Sequence, residues 1–488
     1  MSLVKQLAGQ TVIYGLGQIL PRIVQFILFS TYLTNLLNDT GDYAVYLDLY
    51  AYATVLIVFF SYRMDTALFR FGRKSEELEE VYQSAFWPMV ISSLLLVVAG
   101  WIFSEAIATW LTYPGKGYYV KWFSWIIGLD VMILLPMAKL RLMDQPRKFI
   151  TYKIGNVILT IALVLFFLEV VPRWFPSLQD GILSFANGPV EFVFASNLIA
   201  SAVLFVALAI NYLPNALSVN WAMWRRMGLY AWPLVIVGIA GGINQFFGVP
   251  LQKYLLGEAI EINKDQAGIY GAVQKIPALL ALFTTAYNYA AEPFFFKNAE
   301  NKDSKSLYGD IALFFIVVAG VITLSISLGI DLFGHLIAEP YREGLYLVPI
   351  LLLAYLFLGI YYNVSIWYKL SDNTIYGAYI ALVGAAITIG GSLLLLPIIG
   401  FDASAWVALA CYFTMVALAY LIGRKKYPID YPIQSMCRQV ILIIAIMALG
   451  YLLRGDSIFF NLGIGLLLML TYICLSYKFE WKRLKPYI

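Results

Sequence analysis

Apolar positions along this 488-residue chain gather into fourteen blocks, at roughly 8–36, 43–62, 82–103, 120–138, 154–171, 191–212, 228–250, 267–293, 310–330, 346–367, 376–396, 403–422, 438–453 and 458–476. A helix needs about 20 apolar residues, at 1.5 Å of rise each, to cross the hydrocarbon of a bilayer. Fourteen such helices consume roughly 280 residues and leave only short connections. The pattern therefore predicts an all-α polytopic membrane protein with fourteen transmembrane helices.

The connections alternate between rich and poor in Lys and Arg. With Lys5 on the cytoplasmic side, that side collects 24 of the 33 basic residues. By the positive-inside rule this places both termini in the cytoplasm and the protein in the cytoplasmic membrane. Trp101, Trp110, Trp174, Trp221, Trp224, Trp367 and Trp481 fall near block ends, where amphipathic rings anchor at the headgroup layer.

Composition narrows the classes further. The chain is 61% hydrophobic and 13% charged, with a mean hydropathy of +0.78, against about 25% charged for a soluble domain. A nucleic-acid role is not expected. Cys411, Cys437 and Cys474 are an odd set in or beside spans and suggest neither disulfides nor a ligand cluster. The amino terminus carries one Lys before a long span and no small-residue cleavage site, so it reads as a retained helix. With no Walker-type phosphate loop, no metal-ligand spacing and no nucleophile paired with a histidine in one motif, no enzyme activity, cofactor or metal is expected.

Weak self-similarity divides the chain. Arg141-Leu-Met-Asp144-Gln145 recurs as Lys369-Leu-Ser-Asp372-Asn373, 228 residues later. Tyr62 with Phe69 and Phe71 recurs as Tyr287 with Phe294 and Phe296, and Val206-Ala-Leu-Ala209 recurs as Val416-Ala-Leu-Ala419. Two six-span lobes, 1–226 and 227–427, follow, with 428–488 adding two peripheral helices and a tail. An even number of spans per repeat inserts both copies the same way up, relates them by a pseudo-twofold axis along the membrane normal, and implies a cavity between them.

Polar residues inside the spans mark that cavity. Arg22 lies near the middle of the first block, where an Arg facing lipid costs about 2.5–3.5 kcal/mol. Thr11, Tyr14, Gln18, Arg22 and Gln25 share an arc of roughly 80° at 100° per residue. They form a polar stripe centred on a cation; the plainer reading is an Arg that bonds backbone carbonyls to fix helix packing. The seventh span carries Gly241, Asn244, Gln245, Gly248 and Gln252 on one face. The eighth carries Gln274, Thr285, Asn288 and Glu292, with Lys275 a step aside, facing the cavity or snorkelling outward, and Pro277 able to kink the helix. Arg63 and Arg70, seven residues apart, share a face as a cationic mouth or as positive-inside anchors. Asp130, alone in the fourth span, either pairs with a cation such as Arg22 or takes part in ion coupling. Asp48 sits in a first turn and is expected at the interface. His335, the single histidine, is assigned no role. The residues describe a secondary carrier for cargo that is anionic at one end and polar elsewhere.

Leu140-Arg141-Leu-Met-Asp-Gln-Pro-Arg147-Lys-Phe149, Ala267-Gly-Ile-Tyr270-Gly-Ala-Val-Gln-Lys275, Ala291-Glu-Pro293-Phe-Phe-Phe-Lys297 and Tyr341-Arg342-Glu343 before Val348-Pro349 resemble, in order and spacing, the polysaccharide and O-antigen flippases of the multidrug/oligosaccharidyl-lipid/polysaccharide exporter superfamily. The resemblance implies two six-helix bundles plus two helices that move polyprenyl-diphosphate-linked oligosaccharide between leaflets by alternating access. Membrane lipid is then a partner, and a polysaccharide polymerase or glycosyltransferase a potential one. Many relatives carry Asp-Arg at the end of span seven, where this chain has Gln252-Lys253. Arg22, Gln18, Gln25, Tyr14, Arg63, Arg70, Asn244, Gln245, Lys275 and Asn288 are the candidate substrate contacts. The rival reading on the same scaffold is a cation-coupled antiporter of organic cations, which requires a cavity carboxylate; Asp130 is the candidate.

Overall fold

A computed structural model describes residues 24, 31–37, 39–72, 78–175, 188–297, 304–371 and 373–485. The described residues are helical with short connections, and none forms a strand. Twelve helices are long and apolar enough to cross a membrane, and a helix pair bent by 42° makes a thirteenth when taken as one span. The expected span over 8–36 lies almost wholly outside the described residues.

Contacts sort the chain into two compact units, one built on Val45–Ile243 and the other on Asn244–Ile488 with Phe29–Ala44. The first holds α1 (Thr40–Ser61, from Val45 on), α2 (Met64–Phe71), α3 (Leu78–Ile102), α4 (Gly117–Leu142), α5 (Pro146–Leu165), α6 (Pro189–Tyr212) and most of α7 (Trp221–Phe246). Its centre is α4, which packs on α2, α3, α5 and α6. Apolar residues cover α4 on every side, Ile126, Ile127, Val131 and Leu135 among them, as an interior helix requires. Its most apolar window is 72% buried, against 28% for α5.

The second unit contains α8 (Gly248–Leu255), α9 (Ile260–Val273), α10 (Lys275–Lys297), α11 (Ser304–Leu328), α12 (Val348–Val364), α13 (Ile375–Ile399), α14 (Asp402–Lys426), α15 (Ile433–Leu452) and α16 (Ile458–Leu484). Here α12 is the hub, in contact with α10, α11 and α14. Helices α15 and α16 pack on α11 and on each other, and the window of α16 is only 22% buried. They sit at the rim of their unit. One end of this trio is tied by Arg483 to Asp310 and by Arg438 to Glu480, the other by Arg454 to Asp331.

The duplicated loops adopt one backbone design. After α4, the Met143 amide donates to the Lys139 carbonyl and the Gln145 amide to Leu140. At the positions 228 residues on, the Ser371 amide donates to Trp367 and the Asn373 amide to Tyr368. In the first copy the six-residue return bond is the signature of a helix end reversed through a left-handed residue. Asp144 is that residue in the first copy, at φ +50°.

Two expectations are corrected. Trp101, Trp110, Trp174 and Trp221 are exposed as anchors should be, but Trp367 is 1% exposed and donates its indole N–H to the Ala419 carbonyl at 3.0 Å. Gly423 makes room for that ring, since a Cβ there would lie 2.6 Å from the indole nitrogen. Asp48 is likewise no interfacial residue: it is 1% exposed and accepts from the Tyr113 hydroxyl at 2.7 Å.

Candidate transport site

Arg63 owes its position to a helix break. Tyr62 and Arg63 both take left-handed conformations, φ +48° and +53°, between α1 and α2. Such a conformation costs an ordinary residue roughly 1–2 kcal/mol. The break turns the Arg63 side chain toward α7, where its Nε would be 3.4 Å from a Cβ on Gly238. Glycine is needed there, because that Cβ would also lie 2.6 Å from Val58 Cγ1. Arg63 Nε is buried without a hydrogen-bond partner, as is Asp65 Oδ1 two residues on. No carboxylate pairs with the Arg63 guanidinium among the described residues. Arg70, in the last turn of α2, is exposed and stacks over the Tyr230 ring at 4.4 Å. The two arginines flank a break rather than share one uninterrupted helix, yet both lie against α7.

In the same unit, Asp130 on α4 is partly buried and accepts from the Ser201 hydroxyl on α6 at 2.8 Å; Ser201 Oγ also lies 3.5 Å from Asn197 Oδ1. No cation pairs with Asp130 among the described residues. Glu191 is, like Asp48, a buried carboxylate of this unit, 4% exposed and bonded by the Tyr118 and Tyr119 hydroxyls at 3.0 and 2.7 Å. Its bonds are internal to the fold.

In the second unit, Lys275 opens α10 directly after the break at Gln274, where α9 and α10 bend by 42°. It lies 15 residues beyond the start of α9, about 22 Å along the helix and thus deep within a span. Lys275 is partly buried and has no hydrogen-bond or carboxylate partner among the described residues. Asn288, thirteen positions further along α10, is also partly buried and has no side-chain hydrogen-bond partner among the described residues.

Asn244 is spoken for. It is 8% exposed; its amide donates to the Ala381 carbonyl at 3.4 Å, and its Oδ1 accepts from Thr388 at 3.1 Å. Gln245 is partly buried and its carbonyl accepts from Gln274 at 3.4 Å. Asn244, Gln245, Tyr270, Gln274, Thr388 and Tyr412 line a cavity of about 20 Å³, room for a single water. At the end of span seven, Gln252 is fully buried and donates to Ser404 at 2.7 Å, and Lys253 is 1% exposed. Tyr14, Gln18, Arg22 and Gln25 lie outside the described residues. Among the described residues, no group of three His, Cys, Asp or Glu side chains is placed to hold a metal ion.

Sequence reasoning missed Ser201 and Thr388, the partners of Asp130 and Asn244, because small hydroxyls in apolar helices carry no pattern of their own. It also missed Gly238, whose role appears only when α7 meets the break before Arg63.

The helices and their breaks define a polytopic membrane-protein scaffold. A sequence profile of the family described as polysaccharide biosynthesis protein matches residues 7–299, and the chain belongs to that family. No curated protein sequence matches it. The fold is shared with a lipid II flippase, MurJ, in an inward closed conformation, at a TM-score of 0.71 and 14% identity over 96% of this chain and 99% of that one. A multidrug resistance MATE family transporter of the MOP superfamily, inward-facing, gives 0.58 at 14% identity over 86% and 96%. The MATE transporter VcmN of Vibrio cholerae gives 0.51 at 12% over 87% and 97%.

Proposed function

We propose that this protein is a flippase that carries polyprenyl-diphosphate-linked oligosaccharide across the cytoplasmic membrane by alternating access, both termini lying in the cytoplasm. The observation that carries the proposal is the pair of cations at helix breaks. Arg63 and Lys275 lack carboxylate partners among the described residues, and each follows an interruption of a membrane helix. Broken backbone at membrane depth is tolerated only where it is buried in protein or lines a water-filled cavity, and an unpaired cation there marks a path for a charged ligand. A diphosphate supplies the missing anion, and Arg offers it a bidentate fork.

The lobes 1–226 and 227–427, related by a pseudo-twofold axis along the membrane normal, rock against each other to open the cavity to either side in turn, with 428–488 at the periphery. Arg22, with Tyr14, Gln18 and Gln25, lines the cavity from the first span. Arg63 and Arg70 receive the diphosphate at the cytoplasmic mouth and Lys275 holds it deeper. Gln245 and Asn288 meet the sugars, while Asn244 keeps this surface in place. The lipid tail remains in the bilayer, and a polymerase or glycosyltransferase works on either side of the step.

One observation favours the rival, an organic-cation antiporter: among the described residues, which exclude Arg22, Asp130 is partnered by a hydroxyl and by no cation. A proteoliposome assay separates the two. Flipping of a fluorescent polyprenyl-diphosphate sugar, lost in Arg22→Ala protein of normal abundance, is the expected result. Uptake of a fluorescent organic cation that depends on Asp130, with no sugar flipping, would overturn the proposal.

A further inference from the structure

A wide cavity in the second unit lies at the end where α11 and α15 finish and α16 begins, the end opposite the Arg483–Asp310 tie. Its volume is about 1130 Å³, above the roughly 300–1,000 Å³ usual for small-molecule sites. Helix α11 packs on both α12 and α15 and forms the floor through Leu328. The walls are apolar: Pro349, Ile350 and Leu353 from α12 face Ile444 and Met447 from α15. Ile444 is 42% exposed and Leu453, at the rim, 46%, so the cleft is bordered by residues on the lipid-facing flank of α15.

The rim is polar, and its charges cancel. Arg454 pairs with Asp331, which also accepts from the Asn461 amide at 3.0 Å. His335 is held through Nδ1 at 2.6 Å from the Asp331 carbonyl. Arg342 donates its Nε to the Ile337 carbonyl at 3.2 Å, which fixes the guanidinium while leaving its terminal N–H groups without a carboxylate among the described residues. Asp456, exposed, also lines the cavity and has no cation partner there. One free guanidinium and one free carboxylate on a rim of no net charge match a headgroup that carries one phosphate and one ammonium. They leave no surplus charge for an anionic lipid.

We propose that this cleft is a binding site for a zwitterionic phospholipid of the phosphatidylethanolamine class, with an acyl chain between α12 and α15, the phosphate on Arg342 and the ammonium at Asp456. With the orientation proposed above, the lipid comes from the outer leaflet. None of the residues assigned above to the cargo lines this cleft, and the proposal does not depend on what the protein transports.

Native mass spectrometry of purified protein, titrated with phosphatidylethanolamine, phosphatidylglycerol or a polyprenyl phosphate, tests it. Phosphatidylethanolamine is expected to bind about tenfold more tightly than phosphatidylglycerol, the scale of one charge-assisted hydrogen bond. Arg342→Gln is expected to weaken it by a similar factor, Leu353→Trp to block the cleft, and Asp456→Asn to erase the preference while phosphatidylglycerol binding persists. Melting temperatures equal to wild type establish that each variant is folded; a variant that fails this is replaced by Ile350→Trp for the walls or Arg342→Lys for the rim. Unchanged retention in both the rim and wall variants, a preference for phosphatidylglycerol, or displacement by the polyprenyl phosphate overturns the proposal. Sugar flipping that fails while phosphatidylethanolamine binding holds counts against the transport reading alone.

Discussion

The helix break in the first unit and the one in the second place a cation by different means. At Tyr62 and Arg63, two consecutive side-chain-bearing residues are forced into left-handed backbone, and a glycine on α7 accepts the redirected arginine. Before Lys275 the backbone stays right-handed at Gln274, at φ −60° and ψ −21°, and the chain bends by 42° with Pro277 just inside α10. The first break is strained and local, at the end of a 22-residue helix. The second is an ordinary proline-assisted kink at membrane depth. Strain tends to gather where function fixes geometry; on the transport proposal the arginine would be the cation held to one direction and the lysine, on its flexible stem, the one that follows the ligand.

Five substitutions would break or sharpen this contrast. The largest effect is expected from Lys275→Glu, which reverses charge at depth and should lower flipping of a polyprenyl-diphosphate sugar by about a hundredfold, the scale of losing a desolvated charge contact of roughly 3 kcal/mol; rates near wild type would remove Lys275 from the cargo path. Arg63→Lys keeps the charge but loses the fork. It should cost about tenfold in flipping, whereas Lys275→Arg should cost little, and equal losses at both sites would erase the distinction between a directed and a mobile cation. Gly238→Val should overpack Val58 and Arg63 and destabilise the protein by about 1–3 kcal/mol, read as a lower thermal midpoint. The smallest effect is a gain: Asp144→Gly should relieve a left-handed residue and raise stability by up to about 1 kcal/mol, with flipping unchanged.

Much of the architecture was legible because spans follow from length and apolarity alone, and the repeated loops proved to share main-chain bonds as well as letters. The kink beside Lys275 was announced by Pro277. The break before Arg63 was not, since Tyr-Arg contains neither glycine nor proline, and only packing against α7 makes the left-handed turn affordable. The amide stripe on span seven identified Asn244 as polar but could not distinguish a residue facing cargo from one bonded to Thr388 and Ala381 across a helix seam. Asp130 and Asp48 were conspicuous, while their hydroxyl partners Ser201 and Tyr113, 71 and 65 residues away, were invisible to any local reading.

Trp367, wedged against Gly423 and capped by the Ala419 carbonyl, offers an optical use. An indole so enclosed is shielded both from aqueous iodide and from brominated acyl chains, whereas Trp101, Trp110, Trp174 and Trp221 are open to quenching. In protein stripped of its other tryptophans, emission from that ring would register the moment the short helix Ile366–Leu370, which carries it, parts from α14, turning a packing residue into a built-in gauge of the second unit's integrity.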